Sequence, residues 1–186
     1  MLNEVVSFVT LIPVTVWLLL PIYTPNNFAV LLGGGKPLDF GKNFFDGRRI
    51  LGNGKTIRGF VAGVSGGIFV GNLQYIAEVI TNYRVYSTLE YESFVSLVSL
   101  LAFGAMFGDS VGSFLKRRFG VESGEKFPVV DQLTFLIVGL AISSFHPSFW
   151  QVFDFQKIIV GILITPFLHI LTNYLAFKLK LKSVPW

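Results

Sequence analysis

Five apolar runs, each close to the length of one bilayer crossing, leave this chain few folds to choose from. They occupy residues 5–23, 60–80, 94–115, 129–145 and 158–177, and a spanning helix needs about 20 mostly apolar residues. The expected fold is all-α: a polytopic integral membrane protein with five transmembrane helices in a single membrane domain, residues 1–186, joined on one side by loops 24–58 and 116–128. Charge content agrees, since 14% of residues are charged against roughly 25% in an ordinary soluble domain. The fourth run is short. The first lacks a basic amino-terminal region, carries Glu4 and has no small-residue cleavage pattern after Leu20, so it reads as a retained helix and not a signal peptide.

Positive charge sets the orientation, because short loops rich in lysine and arginine stay in the cytoplasm. Lys36, Lys42, Arg48, Arg49, Lys55 and Arg58 separate the first two runs, Lys116, Arg117, Arg118 and Lys126 follow the third, and Lys178, Lys180 and Lys182 lie in the tail. The other side has only Arg84 and Lys157. An outside amino terminus and a cytoplasmic carboxy terminus put the whole first group inside. Trp150, Trp186, Tyr23, Tyr83, Tyr86 and Tyr91 fall near run ends, as interfacial anchors do; Trp17 does not.

Loop 24–58 is long for so compact a chain, and loops of that kind are functional or disordered. Aromatic and aliphatic residues among its glycines favour a folded loop. Gly54, Lys55 and Thr56 echo the end of a P-loop, but that motif's first glycine would fall at Arg49 and no strand precedes it. In the second run Gly59, Gly63, Gly67 and Gly71 form one ridge on a helix, and Gly104, Gly108 and Gly112 repeat the device in the third. Such a ridge either lets helix backbones pack closely or borders a cavity. Gln74 and Glu78, toward the outer end of the second run, read as interfacial.

Asp109 sits inside an apolar run about 10 Å before Lys116, within the inner leaflet. A membrane-embedded acid faces a bundle interior or a wet cavity and takes part in function. At about 100° per residue, Ser113 lies about 40° from Asp109, Lys116 about −20° and Arg117 about 80°, so one face carries an acid, a hydroxyl and cations. Asp131, just after Pro128, opens the fourth run. It suits a helix amino terminus on charge alone, and with Asp109 it suits Mg²⁺, which accepts two carboxylates with water and phosphate oxygens. Acids beside Lys116, Arg117, Lys126, Lys55 and Arg58 describe a polyphosphate site. No activated nucleophile is evident: cysteine is absent, His146 lies at an outer end and His169 stands isolated in the fifth run. Direct phosphoryl-type displacement needs none.

Ser113, Lys116 and Arg117, followed across a polar loop by Asp131 and Gln132, with Gly108 and Asp109 upstream, resemble the membrane signature of the phosphatidate cytidylyltransferase superfamily. The first loop, with Pro37, Asp39, Gly41, Asp46, Gly47, Arg49, Ile50, Gly52, Lys55, Thr56, Arg58, Gly59 and Phe60, is similar to its archaeal branch, the CDP-archaeol synthases. The bacterial and eukaryotic Lys and Asp pair and the His, Gly, Gly run are missing, in keeping with a small archaeal form. The resemblance implies that CTP and 2,3-di-O-geranylgeranylglyceryl phosphate give CDP-archaeol and pyrophosphate at the cytoplasmic face of the cell membrane, with Mg²⁺ as cofactor. It implies that Asp109 and Asp131 bind the metal, that Lys116, Arg117 and Lys126 hold phosphates beside Ser113, and that Asp46, Arg49, Lys55, Thr56 and Arg58 close over the nucleotide. Asp109, Asp131, Lys116 and Lys55 are the implied catalytic groups. The lipid chains are expected in a groove between the glycine-bearing second and third helices. The partners are then CTP, the lipid phosphate and the bilayer, and no nucleic acid.

Two rivals are weaker. Asp46, Gly47 and Arg49 hint at a CDP-alcohol phosphotransferase, but the further aspartates that family needs do not follow, since the next acid is Glu78. A small transporter or channel with Asp109 as a proton or cation site leaves the inner cations and the glycine-rich loop unexplained.

Overall fold

The computed structural model describes residues 2–181, with backbone alone for residues 2–9. Lys182 and Trp186 lie outside the described residues. Six helices follow in order: α1 Leu2–Leu32, α2 Ile57–Thr81, α3 Tyr91–Arg118, α4 Val130–Ser143, the short α5 Phe149–Val152 and α6 Phe155–Lys178. No strand forms among the described residues, and only two isolated bridges occur, both in the loop after α1. Thr10–Leu32 of α1, together with α2, α3 and α6, is long and apolar enough to cross a membrane. Helix α4, with 14 residues, is about 21 Å long at 1.5 Å per residue and falls short of a crossing by itself. The chain is a multi-pass membrane protein.

Helix α1 runs nine residues past the expected end at Tyr23, through Pro25, and carries Asn26 and Asn27 on its last turns. Proline inside a helix frees the carbonyl four residues earlier, and in a membrane that carbonyl needs another partner. Pro21 frees the carbonyl of Trp17, and Gln74 Nε2 donates to it at 2.7 Å. Trp17 Nε1 in turn donates to Glu78 Oε1 at 2.7 Å, while Glu78 Oε2 accepts from the backbone N–H of Val85 at 2.9 Å and Ser87 at 2.7 Å. Gln74 and Glu78 are therefore buried, not interfacial. They bind α1, α2 and the outer turn together, which also explains why Trp17 stands away from a run end.

Helix α3 is central, burying Phe94, Leu97 and Leu101 against Leu18 and Ile22 of α1, Leu136 of α4 and Phe149 beyond it. The glycine ridges make these contacts possible. A Cβ on Gly63 would lie 2.5 Å from Met106 Sδ, one on Gly67 2.6 Å from Ala102 Cβ and one on Gly71 2.5 Å from Val98 Cγ1, all on α3. On the other side of α3, Gly104 meets Gly139 of α4 and Gly112 meets Thr134 in the same way. Along Gly63, Gly67 and Gly71, and along Gly104, Gly108 and Gly112, the ridges are filled by neighbouring helices, so no lipid groove opens over that length. Only at the inner end do Gly59 and Phe60 of α2 and Met106 and Ser110 of α3 face a cavity.

Candidate active site

The loop after α1, residues 33–56, is folded. Its ends are zipped by Leu38 N–H donating to the Lys55 carbonyl at 2.7 Å and Ile57 N–H donating to the Lys36 carbonyl at 3.1 Å. Asp39 is its hub: the carboxylate accepts from Arg49 Nη2 at 2.7 Å and from the backbone N–H groups of Gly41, Leu51 and Gly52 at 2.9–3.0 Å. Burial pushes this carboxyl up, but Arg49 and the three N–H groups outweigh it and hold Asp39 well below the usual carboxylate range.

A carboxyl depressed on folding stabilises the folded loop above its unfolded value of about 3.9 and loses that contribution as pH falls through its lower folded value. The protection factors of the Leu51 and Gly52 amides, measured against the intrinsic exchange rate at each pH, should therefore stay flat from neutral pH to about pH 4 and fall only below it. In Asp39→Asn the same amides should exchange fast at neutral pH; equal protection in the variant would remove Asp39 as the hub.

The loop docks on the end of α3. Arg48 Nη1 donates to the carbonyls of Arg117 at 3.2 Å and Arg118 at 2.7 Å, capping the negative end of the helix. Arg118 donates to Asp46 Oδ1 at 2.6 Å and to the Arg49 carbonyl at 2.6 Å, and its guanidinium lies over the rings of Phe44 and Phe114. Arg117 is buried and donates to the carbonyls of Leu51, at 3.2 Å, and Val121. Asp46, Arg49 and Arg117 thus hold the loop in place and do not line the cavity below it.

That cavity, about 720 Å³ and open on one side, is lined by the inner ends of α1 and α6, the loop, the start of α2, and α3 and α4. Lys55, Thr56, Asp109 and Asp131 line it. Lys55 Nζ is ion-paired to Asp109 Oδ2, joining loop to helix. Lys116 Nζ donates to Asp131 Oδ1 at 2.8 Å and to the Glu125 carbonyl at 2.7 Å, while Asp131 Oδ2 accepts from Phe127 N–H at 2.8 Å. Thr56 caps α2 by accepting from Gly59 N–H at 3.0 Å. Ser113 is buried one turn below Asp109, and Arg58 and Lys126 are exposed away from the cavity. Two carboxylates from neighbouring helices on one cavity, with no cluster of three acid or histidine ligands among the described residues, suit Mg²⁺ completed by water and phosphate, and not a closed protein cage.

The matching proteins settle the family. A family model described as CarS-like, CDP-archaeol synthase, matches residues 8–186. The CDP-archaeol synthase of Archaeoglobus fulgidus is 59% identical over 172 residues, covering 92% of this chain and 96% of that protein. The chain belongs to the CDP-archaeol synthase family. The Methanocaldococcus jannaschii member is 40% identical over 183 residues, 96% of this chain and 99% of its own. A solved structure described as an intramembrane enzyme for archaeal membrane lipids biosynthesis superposes with a TM-score of 0.70 at 32% identity, covering 85% of this chain and 91% of that one. The chain is accordingly an enzyme of the cytidylyltransferase class, which sets aside the transporter reading of Asp109.

One wall of the cavity was missed in the sequence. His169, Thr172 and Asn173 of α6 and Asn26 and Asn27 of α1 all line it. The α6 trio has i, i+3, i+4 spacing on one helix face and was readable as such. The asparagines were hidden because they lie beyond the apolar run 5–23, in residues assigned to loop 24–58.

Proposed function

We propose that this enzyme transfers CMP from CTP to 2,3-di-O-geranylgeranylglyceryl phosphate, releasing pyrophosphate and depending on Mg²⁺. The observation that carries the reading is the single cavity lined by Asp109, Asp131, Lys55 and Thr56, placed between membrane helices and a folded polar loop. Five crossings, with α4 as the short one and the cation-rich loops in the cytoplasm, give CTP access from the loop side. Asp109 and Asp131 hold the metal, which when bound neutralises charge on the triphosphate. Lys55 and Lys116, each now resting on one of these carboxylates, are placed to turn to phosphate oxygens, and Thr56 presents the start of α2 to the same anions.

A lipid phosphate oxygen attacks the α-phosphorus of CTP, the bond from that phosphorus to the bridging oxygen of the β-phosphate breaks, and pyrophosphate leaves. No protein nucleophile takes part. Pyrophosphate release that requires CTP, Mg²⁺ and the ether-lipid phosphate together tests the reading; release without the lipid, or none with it, would overturn it.

A further inference from the structure

Helices α1 and α6 run side by side in one register. Gly161 accepts the approach of Leu19, where an added Cβ would lie 2.7 Å from Leu19 Cδ1, and one turn further in the Tyr23 hydroxyl lies 2.8 Å from Thr165 Oγ1. Both pairs are 142 residues apart. The same register puts Asn26 and Asn27 level with His169, and the following turn of α1 level with Thr172 and Asn173. There both helices line the cavity.

This wall differs from the one across it. It offers amide, hydroxyl and imidazole groups and no lysine or arginine, with Asn173 Nδ2 3.2 Å from His169 Nδ1. Val30 of α1 and Leu175 and Leu179 of α6, which also line the cavity, are 54%, 49% and 69% exposed. These exposed apolar side chains border the cavity at the inner ends of α1 and α6. An uncharged hydrogen-bonding wall with an apolar margin matches a ligand with a polar head and hydrocarbon tails.

We propose that the seam between α1 and α6, inward of the Tyr23 and Thr165 contact, is where the lipid phosphate enters from the bilayer, and that Asn26, His169, Thr172 and Asn173 hold its glycerol-phosphate head across the cavity from Asp109. The proposal rests on the reaction put forward above. It puts the lipid on the α1 and α6 side of the cavity and not along the packed length of α2 and α3.

The test uses the full-length enzyme in mixed micelles. Asn173→Leu and Thr172→Val should each raise KM for the lipid phosphate by about tenfold and leave KM for CTP within about twofold. The chain has no cysteine of its own, so Asn27→Cys with Thr172→Cys, bridged by a short bis-maleimide, should stop lipid-dependent pyrophosphate release while Mg²⁺-dependent CTP binding persists. Variants that raise KM for CTP instead, or a bridged enzyme with unbridged turnover, would overturn the seam. Thiol labelling of Thr172→Cys alone gives a readout independent of turnover. Slower labelling with added lipid phosphate supports the seam even if the proposed reaction fails, and labelling that only CTP slows overturns it even if the reaction stands.

Discussion

In a folded Asp109→Asn enzyme, transfer of label from CTP to lipid should fall by about a thousandfold or more. The asparagine keeps the shape and removes the charge that faces Lys55 and, in the proposed reaction, the metal. Lys55→Met should cost less, about a hundredfold, because Lys116 still brings a cation to the site. The two groups touch, so their losses should not add, and the double variant should be little worse than Asp109→Asn alone. Metal dependence separates roles: Asp109→Asn should require much higher Mg²⁺ for residual turnover, whereas Lys55→Met should chiefly raise KM for CTP. Ordinary turnover in a folded Asp109→Asn protein would take this acid out of the mechanism.

The second large effect belongs to a residue with no side chain. A Cβ on Gly108 would lie 2.6 Å from the Thr134 carbonyl oxygen, 2.8 Å from Phe135 Cα and 2.8 Å from Val138 Cβ. Two of these neighbours are backbone and cannot swing aside, so α3 and α4 must part. Overpacking of this kind costs about 1–3 kcal/mol, and here it also separates the helices that carry Asp109 and Asp131. A misplacement of about 1 Å at reacting groups can cost about a hundredfold in rate. Gly108→Ala should therefore lower the melting temperature in detergent and reduce turnover by about that factor, and Gly108→Leu should not be recovered folded. Gly54→Ala is the control for stability, since nothing lies within 4 Å of the added atom. Equal melting of Gly108→Ala and the parent would show that α3 and α4 do not depend on this contact.

Much of the site could be read along the chain because its signals are local. Asp109 stood out as an acid in an apolar run, and Lys55, Thr56 and Asp131 were singled out by motif; all four line one cavity. Asp46, Arg49 and Arg117 carry the same kinds of charge, yet Asp46 accepts from Arg118, Arg49 donates to Asp39 and Arg117 donates to the Leu51 carbonyl, so all three tie the loop to itself or to the end of α3. A motif marks such residues without saying whether they touch a ligand or hold the groups that do. Asp39 illustrates this, since five donors converge on it only after the loop has folded.

Hydropathy and charge by themselves determined a helical membrane protein with a polar site near Asp109, because the cost of exposing backbone or charge to lipid applies to each segment separately. Tertiary structure decided which faces meet. Glycine ridges are compatible with a helix or a ligand, and here neighbouring helices fill them. Pro25 is compatible with a helix end or a continued helix; α1 continues to Leu32 and thereby brings Asn26 and Asn27 to the cavity. Spacing along a chain fixes the direction in which a side chain leaves its own helix, whereas what it meets depends on the register between helices, which only packing sets.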